Sequence, residues 1–283
     1  MNIIHISDLH FGPYHWKGND KILLEKINSY NSDIVINTGD MTSDSLEAEY
    51  IEAKEFLKQI TCKHLISVIG NHDKYSKRSQ ELFKEYIASP HVIYPLDKNK
   101  IKKQEIFVDR KTVNLKDYFT DINFLKTIEI RKKIILVICI DSNVPYSDFG
   151  FVEESILEAL SLKIGSLKYD TALLVIHHSI LGGTDECPLI NSKRVIDFVN
   201  KHKIEYVFCG HTHEVDLRRS YDLYYHHQFT QFMCGSTSSI DVLREGSNTF
   251  FYYNNIGEDN FHMYLIRIFV KHNHLEFIEE KVW

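Results

Sequence analysis

Strongly apolar runs alternate with amphipathic stretches along this chain. Five of the apolar runs stop at short polar islands: Ser7-Asp8-Leu9-His10, Gly39-Asp40, Gly70-Asn71-His72-Asp73, His177-His178 and Gly210-His211-Thr212-His213. An apolar run that ends in Asp, Asn or His reads as a buried strand delivering polar side chains to one edge of a sheet. On this pattern strands are expected at Ile3 to Ser7, Asp33 to Asn37, His64 to Ile69, Ala172 to Ile176 and Glu205 to Cys209. Helices are expected over Asp20 to Tyr30, Ser45 to Ile60, Ser79 to Ala88 with a stop at Pro90, Glu153 to Leu162, and Ser192 to Lys201. The second of these places Leu46, Tyr50, Ala53, Leu57 and Ile60 on one buried face, with Asp44 or Ser45 as its cap. Ile122 to Glu129 and Ile134 to Ile140 read as a hairpin around Arg131-Lys132. After Phe229 the pattern is mostly strands, closing with Phe261 to Val270 and Leu275 to Lys281. An α/β protein follows, with two sheets packed face to face and helices outside.

Composition changes this picture only in part. With 283 residues and 43% hydrophobic content the chain can bury a large core, and it is read as one domain spanning 1–283. The net charge of -6 argues against a general grip on nucleic acid, which needs a basic balance. One local exception is the basic stretch from Lys98 to Lys116, part of an excursion near 98–133 and read first as a solvated hairpin. Five cysteines are scattered without a C-x-x-C pair, which fits a reducing cytoplasm. Met1 to Phe11 lacks the basic start of a signal peptide, and the longest uniformly apolar run, Ile134 to Ile140, is too short to cross a bilayer.

The islands carry the chemistry. Two divalent ions held close together need hard oxygen donors, neutral imidazoles and one carboxylate that touches both. Asp40 is the natural bridge. Asp8 and His10, two apart on chain leaving a strand, can face one side, and His211 and His213 repeat that spacing; Asn71 and His177 remain for the other ion. Two such cations against two carboxylates leave a positive centre suited to phosphate. The bland reading of Gly39-Asp40 alone is a turn, and His5, inside the first strand, reads as a packed histidine. His178 points away from the face of His177 and reads as supporting or packed. His226-His227 reads as surface, or as the mouth of the site.

The pattern D-x-H, G-D, G-N-H-D, a lone H and G-H-x-H, complete and in order from Ile3 to His213, resembles the calcineurin-like metallophosphoesterase family. The resemblance implies a four-layer αββα sandwich of two mixed β-sheets flanked by helices. It also implies one metal held by Asp8, His10, Asp40 and His213, and a second held by Asp40, Asn71, His177 and His211. Mn2+ or an Fe/Mn pair is expected, with Zn2+ as an alternative. A hydroxide bridging the two metals is expected to attack phosphorus, while His72 protonates the leaving group and Asp73 or another carboxylate orients its ring. The Asp73 variant of the third island resembles the class III cyclic nucleotide phosphodiesterases. The expected substrate is therefore a small phosphodiester, such as a cyclic nucleotide. Two other readings stay open: a DNA nuclease resembling the exonuclease subunit of break-repair complexes, and a metal-binding interaction module without catalysis. One departure from the family is that Gly39-Asp40 is followed by Asp44 rather than by an Asp one position earlier.

Overall fold

The computed structural model describes residues 1–16, 18–87, 94–95, 105–108, 111–114, 122–182, 187–242, 245–271 and 274–283. In the first sheet β1 (Ile3–Ile6), β2 (Ile34–Asn37) and β3 (His64–Ser67) run parallel. On the other side of β1 lie β13 (Asn248–Asn254), β14 (His262–Lys271) and β15 (His274–Lys281), all antiparallel, giving the order β15-β14-β13-β1-β2-β3. The second sheet is built on four parallel strands, β8 (Lys133–Ile140), β9 (Thr171–Ile176), β10 (Tyr206–Cys209) and β12 (His227–Met233). It is edged by antiparallel β11 (Asp216–Asp222) on one side and by β7 (Phe124–Ile130) and β4 (Tyr94–Pro95) on the other. Both sheets are mixed.

The pleat explains the layers, because successive side chains of a strand point to opposite faces. Ile3, Ile34, Ile36 and Ile66 of the first sheet pack inward with Val137, Cys139, Leu173, Val175 and Phe208 of the second. Ile4, Ile6 and Val35 face the other way, onto Leu23, Leu24 and Ile27 of α1 (Asp20–Ser29) and Tyr50, Ala53 and Phe56 of α2 (Glu47–Leu57). Leu136, Ile138, Leu174 and Ile176 do the same beneath α4 (Glu154–Ile164) and α5 (Ser192–Lys201). Three apolar seams therefore separate four layers, the expected αββα sandwich. Each fully buried Ile, Leu or Val contributes about 1.5–3 kcal/mol relative to exposure. Among the described residues no helix is long and apolar enough to cross a membrane.

Local differences from the sequence reading have simple causes. α2 starts at Glu47, and neither Asp44 nor Ser45 caps it; the Glu49 carboxylate instead accepts the Asp44 and Leu46 amides at 2.9 and 3.1 Å. Leu46 is consequently exposed rather than on the buried face. Ser45 donates to the His72 carbonyl at 2.6 Å and accepts the Tyr75 amide at 2.8 Å. The helix expected from Ser79 starts as α3 (Ser79–Leu82) and widens to a π turn over Phe83–Ile87; its stop at Ala88 and Pro90 lies outside the described residues. The β7–β8 hairpin turns at Arg131 and Lys132, both in the left-handed region that suits a tight hairpin. Of the basic stretch Lys98 to Lys116, only the antiparallel pair β5 (Glu105–Val108) and β6 (Lys111–Asn114) lies within the described residues.

Candidate metal centre

The parallel strands of the two sheets end at one edge, where their loops lace together. The Asp8 amide donates to the Gly39 carbonyl at 3.0 Å, the His10 amide to Asp40 at 3.0 Å, and the Gly210 amide to His177 at 2.9 Å. Asp8, His10, Asp40, His211 and His213 all have φ between 51 and 81°. Left-handed backbone is uncommon outside glycine, and such residues concentrate at functional sites, where surrounding structure over-determines them. The approach is close enough to require glycine at two places. A Cβ on Gly70 would lie 2.1 Å from Asp40 Oδ1, and one on Gly210 would lie 1.9 Å from Ser7 Oγ.

All seven expected ligands converge. Asp8, His10 and His213 form one group, with Asp8 Oδ1 3.9 Å from His10 Nε2 and 3.5 Å from His213 Nε2. Asp40, His177 and His211 form the next, with Asp40 Oδ2 3.3 Å from His177 Nε2. Asn71 Oδ1 adjoins the second group, 2.8 Å from His177 Nε2 and 3.0 Å from His211 Nδ1. Asp40 also reaches towards the first, with Oδ2 4.0 Å from His10 Nε2. Its position between the two groups is the one expected of a shared carboxylate.

Backbone carbonyls set the imidazoles. His177 Nδ1 donates to Thr38 O at 2.7 Å, His213 Nδ1 to Asp241 O at 3.0 Å, and His211 Nε2 to Cys187 O at 3.1 Å. A carbonyl only accepts, so each of these bonds fixes the outer nitrogen as the donor and turns the other nitrogen inward, as histidine ligands require. The fit to cations can be tested on one atom. Among the described residues Asp8 Oδ1 is buried with no hydrogen-bond partner, which is costly for a carboxylate unless a cation satisfies it. His10 Nε2 and His213 Nε2 also face each other at 2.9 Å.

Electrostatics divide this donor set. Burial pushes His10 and His211 down to about 4, so both stay neutral. Burial opposes ionisation of Asp8 and Asp40, yet the histidines beside them hold both below their ordinary range, Asp40 well below. Burial also works against charge on His177, but Asp40 more than reverses it and raises the ring to about 9. His10 and His211 are thus neutral, as ligands must be, whereas the carboxylates beside His177 and His213 favour a proton on each ring that a bound cation would displace.

The remaining candidates divide. His72 lies at the rim with its ring centroid 4.7 Å from that of His10, flanked by Tyr14 and Tyr75. The Ser43 carbonyl orients it, accepting from Nδ1 at 2.8 Å. That corrects the expectation for Asp73, whose carboxylate instead accepts from the Gly70 amide at 2.9 Å and from the Thr42 amide and hydroxyl at 2.9 and 2.8 Å. Asp73 thus ties the third island to the second, and burial together with the Asp40 charge raises it to about 7. His178 packs on His211 at 4.3 Å between ring centroids and donates to the Asp148 carbonyl at 3.0 Å. His227 donates to the Ile204 carbonyl at the start of β12, whereas the end of that strand, at Met233, pairs with Cys209 beside the site. The His226-His227 pair therefore does not line the mouth. Asp148 and Tyr75 at the rim were not foreseen; no spacing rule links either to the islands.

A family model of calcineurin-like phosphoesterases matches residues 1–215. The chain belongs to that family. It is a metal-dependent phosphoesterase, from a family that uses divalent metal ions. It is 22% identical over 234 residues to a probable cyclic nucleotide phosphodiesterase of Xenorhabdus bovienii, covering 75% of this chain and 78% of that protein. It is 23% identical to a probable glycerophosphodiester phosphodiesterase of Arcobacter nitrofigilis, over 76% and 72% of the two chains. Among solved structures, a dimetal phosphatase from Danio rerio superposes with a TM-score of 0.62 at 11% identity, over 99% of this chain and 98% of that one. GAP50, the anchor in the inner membrane complex of Plasmodium, superposes with 0.56 at 12% identity, over 99% and 88%. At such identities the likeness shows the fold alone.

Proposed function

We propose that this protein hydrolyses small phosphodiesters at a centre of two divalent cations, one held by Asp8, His10, Asp40 and His213 and the other by Asp40, Asn71, His177 and His211. The observation that carries this reading is the position of Asp40 between two adjoining donor groups, each completed by residues from both sheets. Bound there, the cations would supply a strong nucleophile from water near neutral pH and neutralise charge on the phosphoryl oxygens. Mn2+ or an Fe/Mn pair suits the mixed oxygen and imidazole donors, with Zn2+ as the alternative.

The chain's own residues do the rest. The Ser43 carbonyl fixes Nδ1 of His72 as a donor, so Nε2 is the atom that exchanges a proton with the leaving alkoxide. The His72 amide donates to Asp40 Oδ1 at 2.8 Å, tying the acid to the shared carboxylate. The relatives named for cyclic nucleotides and for glycerophosphodiesters support diesters over monoesters. The acidic balance supports small substrates over nucleic acid. We take residues 1–283 as one domain, since β13 completes the sheet beside β1, and place it in the cytoplasm on the scattered spacing of its five cysteines, which form no C-x-x-C pair.

The test has two arms. Asp40→Asn should lower the content of both metals by elemental analysis; two fully retained ions would contradict the shared role. Turnover of a cyclic mononucleotide, a glycerophosphodiester, a dinucleotide and linear duplex DNA with Mn2+ should favour the small diesters and vary little with salt. Salt-sensitive preference for the duplex would install the nuclease reading instead.

A further inference from the structure

We propose that Asp148 is a positioning residue for the centre, holding the Asn71 amide with its oxygen towards His177 and His211. This rests on the reading of those three residues as a cation site. An amide has two unlike ends, and the end that faces inward decides whether the centre is offered a lone pair or N–H groups. Here Asn71 Nδ2 donates to Asp148 Oδ1 at 2.9 Å, while Asn71 Oδ1 faces the two imidazoles at 2.8 and 3.0 Å. Asp148 Oδ1 is an acceptor in both of its side-chain contacts, so it pairs with the nitrogen end alone. A flipped amide would set oxygen against oxygen at Asp148 and point N–H groups at the place where a cation needs a donor atom.

Asp148 is itself held. The Tyr75 hydroxyl donates to the same carboxylate oxygen, and His178 Nε2 donates to the Asp148 carbonyl at 3.0 Å. The Ser142 hydroxyl in turn meets His178 Nδ1 at 2.8 Å. His178 directly follows His177, so the end of β9 that delivers one candidate ligand also fastens the loop that orients another. Asp148 is exposed, and removing its side chain opens no core cavity.

The experiment titrates metal-free protein with Mn2+ and counts bound ions by electron paramagnetic resonance. The wild type should take up two. Asp148→Ala should raise the dissociation constant of one site about 10- to 100-fold, the usual effect of losing a group that orients a ligand, and leave the other near its wild-type value. Asp148→Asn, which keeps an acceptor oxygen, should recover most of that affinity. In an Asn71→Ala background Asp148→Ala should add nothing, because it acts through Asn71. Unchanged binding in Asp148→Ala, equal weakening of both sites, or additive losses in the double variant would each overturn the proposal. Uptake of fewer than two ions by the wild type would instead overturn the two-cation reading beneath it.

Discussion

The Lys74 ammonium donates to the Asp141 carboxylate at 2.6 Å, and both side chains are fully buried. Lys74 closes the short helical turn that begins at His72, and Asp141 follows the end of β8, so the pair pins the Asn71 turn to the second sheet. Burial draws the ammonium below its ordinary range and Asp141 opposes that. Neighbouring groups complete the network. Lys74 also donates to the Asn143 carbonyl at 3.0 Å, Asp141 accepts from Asn143 N and Nδ2 at 2.9 and 2.8 Å, and Asn143 Nδ2 reaches Ile69 O at 2.7 Å.

Breaking a buried pair by removing one partner strands the other charge, which typically costs about 3–5 kcal/mol. Lys74→Met should lose stability of that order in urea denaturation. A loss of a few tenths of a kcal/mol would show that Asn143 alone satisfies Asp141.

His72→Ala keeps the backbone N–H that donates to Asp40 and removes only the ring. Both metals should be retained. Turnover of a diester with a basic alkoxide leaving group should fall about 10²–10⁴-fold, and turnover of an activated aryl diester far less, because only the first needs a strong acid. Equal losses on the two substrates would remove His72 from that role.

Gly70→Ala tests how tightly the second and third islands meet. The new Cβ would lie 2.1 Å from Asp40 Oδ1 and 2.2 Å from Asp40 N, so the shared carboxylate has to move. Overpacking of this kind costs roughly 1–3 kcal/mol. Metal content and turnover should fall together; a variant with wild-type metal content would show that the turn can give way without moving Asp40.

His5 links stability to pH. Its ring lies between the sheets, Nε2 3.0 Å from Thr38 Oγ1 and Nδ1 3.3 Å from the Tyr253 hydroxyl, and burial pushes it down to about 3. Above an ordinary value of about 6.5 the ring is neutral in both folded and unfolded chains. Below it the unfolded chain binds a proton that the fold refuses, so this group's stability is present at high pH and lost as pH falls towards 3. Between pH 6.5 and 5 the loss is about 2 kcal/mol. Metal-free His5→Asn should lose that much less than the wild type over the same interval in urea denaturation. Equal losses would mean that the His5 ring protonates within the fold.

The apolar runs at Ile3 to Ser7 and Ile134 to Ile140, and the polar islands that close five such runs, were legible because they are local: a stretch of apolar residues and a change of residue type need no partner. The donor types of the centre were legible for the same reason, since carboxylate, amide and imidazole at strand ends state their chemistry wherever the chain goes. What the tertiary structure decided was which groups meet. His10 faces His213 across 203 positions, and Asp148 reaches Asn71 across 77. Ser43 holds His72 through a carbonyl, an atom that every residue carries and that leaves no trace in side-chain identity. Asp73 looked like the natural partner for the neighbouring ring, but burial drives its oxygens to the Gly70 and Thr42 donors instead. Residue type is a local property and reads directly, whereas orientation belongs to the contacts between distant segments and exists only once the two sheets have closed on each other.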